Sequence, residues 1–189
     1  MGRGLPDSHA TVYLHRGASR QAPHAYEGVV GVAYTFGRAS LSDIAQLVEL
    51  RIGYLTADFG ELEPQQEQDL WRELPAYFEL HLDFDLLAFV AREEETGRIV
   101  CCAWLLLVTK PPSPRFPHGQ TGTLFNVYTV PDHRRQGLAR QVMLRLLDAA
   151  PELKLDVVEL NATDDGYPLY QSLGFADDSS THKPMRLML

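Results

Sequence analysis

The chain has 189 residues, enough for one domain with a substantial core, and its 45% apolar and 22% charged residues exclude a disordered or fibrous protein. A formal net charge of −8 excludes a general electrostatic footprint for nucleic acid or an anionic membrane surface, though not a local basic patch. The longest apolar run, Val100 to Val108, is far too short to span a bilayer, so neither a membrane nor a nucleic-acid partner is expected.

Residues 1–28 are rich in Gly, Pro, His, Ser and Arg with no apolar period, and read as a disordered leader ahead of a single domain over 29–189. The leader holds no apolar signal core, and Pro6 stands where a myristoylation motif at Gly2 would need Ser or Thr; the cytoplasm is the expected compartment. Val29 to Phe36 reads as a first strand. Ser40-Leu41-Ser42-Asp43 then supplies a capping box for a helix carrying Leu41, Ile44, Leu47, Val48 and Arg51 on recurring turns. Pro64 suits the first turn of a second helical stretch, which Pro75 is expected to break into two short pieces.

Leu86 to Arg92 and Arg98 to Val108 are β-rich and joined at Glu95-Thr96-Gly97, a hairpin turn. Cys101 and Cys102 are the two cysteines; a strand points neighbours to opposite faces, so they read as buried reduced thiols. The seven scattered histidines show no zinc spacing, and no metal is expected. Lys110-Pro111-Pro112-Ser113-Pro114 must be loop. A strand from about Thr121 to Thr129, a helix from Gln136 to Ala149, a strand from Leu155 to Leu160, a short helix from Pro168 to Leu173, and candidate strands at Phe175 and Met185 to Leu189 complete a mixed αβ order.

The informative stretch runs from Asn126 to Arg140, NVYTVPDHRRQGLAR. A strand enters a tight loop and the loop enters a helix, with Gly137 and Ala139 placed where a backbone must approach something closely. Helix starts offer unpaired N–H groups and a positive dipole end, so this stretch suits a pyrophosphate, reinforced by Arg134, Arg135 and Arg140. The competing reading is an ordinary helix start, whose basic first turn is unfavourable without a negative ligand. No G-x-x-x-x-G-K-[ST] and no G-x-G-x-x-G occurs, which disfavours a nucleotide triphosphate or a dinucleotide.

Arg134-x-x-Gly137-x-Ala139 resembles the [QR]-x-x-G-x-[GA] signature of the GNAT N-acetyltransferase superfamily, in the manner of a bacterial-type single-domain member. The context agrees: Val127-Tyr128-Thr129 before it, the Val130-to-His133 turn, and Leu169-Tyr170-Gln171-Ser172-Leu173-Gly174-Phe175 downstream, similar to the family's second characteristic element. The resemblance covers Val29 to Leu189. It implies an α+β fold, with helices flanking a mostly antiparallel sheet of six to seven strands in which a parallel pair, Thr121–Thr129 and Leu155–Leu160, splays apart.

It also implies acetyl-CoA as acyl donor and transfer to a primary amine of a small molecule or peptide, by direct attack through a tetrahedral intermediate. Pantetheine would pair with the backbone of Val127, Tyr128 and Thr129, and the amides of Arg135, Gln136, Gly137, Leu138, Ala139 and Arg140 would hold the pyrophosphate. Tyr170 is the candidate acid for the leaving thiolate, and backbone N–H groups of the Asn126-to-Thr129 strand would stabilise the oxyanion. Family members often carry a strand carboxylate as base; Thr123, Leu124, Phe125 and Asn126 offer none. A water relayed through Asn126, Asn161 or Thr163, or selection of the neutral amine, would serve instead. The missing carboxylate also keeps open a non-catalytic acyl-CoA binding or sensing module. Substrate contacts are expected from the first helices and their connection, where Glu49, Arg51, Tyr54, Glu61 and Glu63 lie; the proline-rich loop with His118 reads first as a surface loop, with a wall of the acceptor pocket as the alternative. A homodimer is compatible with all of this, and neither the acceptor nor the oligomeric state can be read from the sequence.

Overall fold

The computed structural model describes residues 32–178 together with positions 185, 187 and 188. The leader 1–28 lies outside the described residues, as do Val29, Val30 and Gly31 of the expected first strand and Arg186 and Leu189 of the expected last one. Among the described residues five strands and four helices follow in chain order: β1 (Tyr34–Arg38), α1 (Ile44–Phe59), α2 (Pro64–His81), β2 (Leu86–Glu93), β3 (Ile99–Thr109), β4 (Gln120–Thr129), α3 (Leu138–Ala149), β5 (Val157–Glu159) and α4 (Tyr167–Ser172). Among the described residues no helix is long and apolar enough to cross a membrane.

The strands form one sheet in the order β1-β2-β3-β4-β5. Its first three pairings are antiparallel, and β4 and β5 run parallel through Thr121↔Val157, Gly122↔Val158 and Thr123↔Glu159. β4 continues six residues past that last pair to Thr129 while β5 ends, so the two strands part at this point. The expected parallel pair is present, with β5 confined to Val157–Glu159 of the expected Leu155–Leu160. The expected sixth and seventh strands are not found among the described residues: Phe175 lies outside any strand, because its amide bonds to Tyr170 O (3.1 Å) and closes the end of α4.

The core is split by the sheet. One side packs Leu47, Val48 and Leu50 of α1 and Phe78 of α2 on Ala88, Val90, Cys102 and Trp104. The other packs Leu138, Val142, Met143 and Leu146 of α3 on Phe89, Ala91, Cys101 and Leu105. Cys101 and Cys102 are free thiols on opposite sides of β3, as their adjacency requires. Pro75 does not break α2, which is continuous over Pro64–His81. The lost hydrogen bond is offset because Leu74, Phe78 and Leu82, which flank the proline, are seated on the sheet. Glu93 N bonds to Arg98 O (2.9 Å), and Gly97 takes φ 70, as a tight hairpin turn demands.

The capping box forms. Ser40 N donates to Asp43 Oδ2 (2.9 Å), a 3-10 turn over Leu41–Asp43 leads into α1, and Arg92 of β2 clamps both Asp43 oxygens at 3.1 Å. Burial opposes the Asp43 charge, yet the Ser40 amide and the Arg92 guanidinium overcome it and hold the carboxyl below its usual value. A lowered folded-state value means the stabilisation is full above about pH 4 and is lost as the pH falls through the folded value. Asp43→Asn should therefore cost about 2 kcal/mol at pH 7, the sum of a cap and a charge-assisted pair that is partly exposed. Urea midpoints of the two proteins should converge as the pH drops below about 4; a gap independent of pH would overturn the assignment.

Candidate active site

β4 feeds a 3-10 turn over Pro131–His133, and the chain then reaches α3 through Arg134, Arg135, Gln136 and Gly137. Arg135 (φ 63) and Gly137 (φ 77) are both left-handed. For arginine that conformation costs about 1–2 kcal/mol, so the surroundings must impose it. Gly137 is the N-cap of α3 and brings no side chain to cap with, and the first turn holds no acidic residue. The leading amides of α3 thus lack the carboxylate or hydroxyl partner that helix starts usually recruit. A Cβ built on Gly137 would meet no atom within 4 Å, so the space over the helix start is open.

Arg135, Gln136 and Arg140 are exposed at this mouth, Leu138 is buried and Ala139 half-buried, seating the helix on the sheet. Arg134 is differently employed: its Nε donates to Thr129 O (3.0 Å) and its guanidinium stands 5.7 Å from the Tyr128 ring, closing the end of β4. The turn is braced from the far edge of the sheet. Tyr34 Oη of β1 lies 2.7 Å from His133 Nδ1 and donates to Gln136 Oε1 (3.0 Å), and His133 Nε2 lies 3.3 Å from Glu93 Oε1.

Just before the turn, β4 is bulged. Its register against β3 jumps from Tyr128↔Cys102 to Phe125↔Trp104, setting Asn126 and Val127 opposite Ala103. Asn126 takes φ 51, a conformation asparagine tolerates better than most residues, and a bulge releases backbone groups from the ladder. Its side chain is buried on the α1 side of the sheet, where Arg51 Nη1 donates to its Oδ1 (3.0 Å). The Arg51 guanidinium lies 5.6 Å from the Tyr54 ring and 6.0 Å from the Phe125 ring. Tyr54 Oη donates to Asp58 Oδ2 (3.3 Å). Tyr128 reaches α1 at Gly53, where a Cβ would come within 2.9 Å of the phenol oxygen.

Tyr170 of α4 packs against the α3 side of the core, edge to face with Phe175 at 5.9 Å between ring centres. Burial pushes its phenol above the ordinary value, and the neighbouring Tyr54 hydroxyl adds to the effect. Tyr170 and Asn161 both line a cavity of about 630 Å³ beside β5, with Phe116, Leu160, Tyr167 and Asp177 among its other walls. The His118 loop is fastened to the start of β5, with His118 Nδ1 2.7 Å from Asp156 Oδ1. None of residues 134–140 lines this cavity.

The structure thus gathers the 127–140 segment at one sheet end, brings Arg51 to Asn126 with the Tyr54 ring beside the guanidinium, and sets Tyr170 in the wall of the cavity beside β5. It does not bring Asn161 to Asn126: the first lines the cavity, the second points to α1. Glu49 is exposed and sits about 200° round the helix from Arg51; Glu61 and Glu63 are exposed as well. Phe125 and Gly53 escaped the sequence reading. A glycine inside a helix pattern was the signal available for the second, and nothing local marked the first.

The family model described as Acetyltransferase (GNAT) family matches residues 46–175. Curated proteins gave no significant match. Among solved structures, a predicted acetyltransferase from Clostridium acetobutylicum, crystallised with acetyl-CoA, is 27% identical, with 81% of this chain and 96% of that one covered at a TM-score of 0.68. An integron cassette protein from the mobile metagenome of V. cholerae is 18% identical, covering 84% of this chain and 94% of its own (TM-score 0.66). A ribosomal-protein-alanine N-acetyltransferase from Brucella melitensis biovar Abortus 2308 is 24% identical, covering 82% of this chain and 100% of its own (TM-score 0.58). The last two likenesses speak for the fold. The bulged β4, its parting from β5 and the open start of α3 all fall inside the matched span, and the chain belongs to the acetyltransferase (GNAT) family.

Proposed function

We propose that this protein transfers an acetyl group from acetyl-CoA to a primary amine. The observation that carries the reading is the left-handed turn through Arg135 and Gly137, which opens onto an uncapped, acid-free helix start at the end of β4. Diphosphate fits that place: the amides of residues 138–140 lack side-chain acceptors, Arg135 and Arg140 add charge, and the missing Cβ of Gly137 leaves room. The Clostridium relative with acetyl-CoA supports the donor's identity.

Acetyl-CoA, when bound, supplies the thioester carbonyl that the amine attacks and the thiolate that leaves. The chain's own residues have four tasks. Residues 138–140 bind the anionic end, and the backbone of Val127, Tyr128 and Thr129 orients the donor along β4. Main-chain N–H groups released at the Asn126–Val127 bulge face developing oxyanion charge. Tyr170, whose raised value keeps its hydroxyl protonated at neutral pH, donates to the departing sulfur. No carboxylate stands on β4 between Thr123 and Asn126, so the amine enters neutral or yields its proton to water.

The test is amine-dependent release of CoA thiol, followed with a thiol reagent across a panel of primary amines. The protein's own thiols stay silent, since burial pushes Cys101 up to about 11 and Cys102 higher still. Saturable release, with acetylated product seen by mass spectrometry, is the expected result. Absence of acetyl-CoA binding by calorimetry would sink the reading.

A further inference from the structure

Arg51 is a half-buried cation one hydrogen bond away from the β4 bulge, and it has no carboxylate of its own. Among the described residues it makes no ion pair, and its bond to Asn126 Oδ1 (3.0 Å) uses one of the five N–H groups a guanidinium carries. The rings of Tyr54 and Phe125, at 5.6 and 6.0 Å, offer π faces, which attract a cation without neutralising it. Asp58, two turns along α1, is bonded to Tyr54 Oη instead. Burial lowers the Arg51 value from that of an ordinary guanidinium, an effect that Tyr54, Tyr77, Cys102 and Asp58 offset in part. A guanidinium kept out of water is costly unless an oxyanion meets it, and its planar fork matches a carboxylate or phosphate in two parallel bonds.

The place matters as much as the charge. Asn126 lies on β4 three residues past the last pair with β5, so Arg51 reaches the point where the strands part. The acidic residues that could instead welcome a cationic acceptor, Glu49, Glu61 and Glu63, are exposed, and Glu49 stands round the helix from the arginine. The chain is acidic overall at −8, yet the side chain held at this point is positive.

We propose that the amine acceptor carries an anionic group, a carboxylate or a phosphate, and that Arg51 receives it. This rests on the acetyltransferase reading above and narrows its substrate class. A polyamine or other purely cationic acceptor would be repelled here, and an amino acid or a phosphorylated amine would be favoured.

Matched probes test it: glycine against glycinamide, and O-phosphoethanolamine against ethanolamine, with the full-length protein and saturating acetyl-CoA. The wild type should show a KM at least about tenfold lower for the anionic member of one pair, the scale of one charge-assisted contact. The pair that discriminates tells carboxylate from phosphate. Arg51→Gln should raise the KM of the anionic member far more than that of its uncharged partner, erasing the preference within the pair, and Arg51→Lys should restore part of it. A purely structural arginine would lower turnover of both members alike, and that result overturns the proposal. So does equal KM within both pairs in the wild type. A second readout needs no turnover: the Arg51 side-chain N–H resonance of the acetyl-CoA-loaded protein should shift on titration with an anionic probe and stay put with its neutral partner. No shift with either anion overturns the proposal too. Acetyl-CoA binding is measured first, by calorimetry; its absence defeats the proposed acetyl transfer, whereas binding without anion preference defeats the present inference alone.

Discussion

Gly137→Val should abolish measurable acetyl-CoA binding while leaving the protein folded. In the protein alone a Cβ at this position meets nothing within 4 Å, so the substitution brings no clash, and its cost is the left-handed φ of 77. That penalty is about 1–2 kcal/mol, which a domain of this size tolerates. On the proposed reading, the open space is where the diphosphate comes to reach the amides of α3. An isopropyl group there displaces it, and losing two charge-assisted hydrogen bonds weakens binding by at least about 100-fold. Gly97→Val is the matched control: it has nearly the same φ, 70, and equally open surroundings, but stands in the β2–β3 hairpin. It should lose similar stability and bind normally. Equal loss of binding in both, or normal binding in Gly137→Val, would show that the cradle has been put in the wrong place.

Tyr170→Phe should lower kcat by about 100-fold, the low end of what a positioned acid contributes. Its acetyl-CoA dissociation constant should stay within about threefold, since no diphosphate contact is removed. The phenyl ring preserves the edge-to-face packing on Phe175, so stability should hardly move. The sign of the pH dependence also follows. Burial first, and then Tyr54, raises the Tyr170 value, so the donor proton is present throughout the neutral range and is lost only on the alkaline side of an ordinary tyrosine's titration. A fall in rate on the alkaline side below that point belongs to another group. An unchanged kcat in the phenylalanine variant, measured at saturating acetyl-CoA, would remove the role assigned to this hydroxyl.

What the sequence made legible was local chemistry. Ser40 and Asp43 are three residues apart, Glu95-Thr96-Gly97 is a hairpin turn, and Arg134-x-x-Gly137-x-Ala139 is a turn running into a helix. Each is decided by neighbours in the chain, and each appears where its residues stand. Contacts set by the tertiary fold were harder. Pro75 reads as a breaker because propensity sees the missing N–H and not the buried Phe78 one turn later. Asn126 was legible as a polar residue near a strand end, but the bulge it sits in and its bond to Arg51, 75 positions earlier, are not. Phe125, beside Arg51 and Trp104, looked like any strand aromatic. The distinction that matters, which polar group on α1 faces the sheet and which faces water, depends on how the helix is rolled. One exposed Glu49 and one half-buried Arg51 are given by packing, two residues apart.

The brace from Tyr34 to His133 and Gln136 has a thermodynamic meaning. A donor arriving at a floppy loop must spend part of its affinity on freezing that loop, at about 0.5–1.5 kcal/mol for each side chain immobilised. Here the first strand and the ligand-facing turn are tied to one another across roughly a hundred positions of chain before anything docks. The entropy is surrendered during folding, and on the proposed reading affinity for the donor is thereby coupled to the integrity of a sheet edge on the far side of β2 and β3.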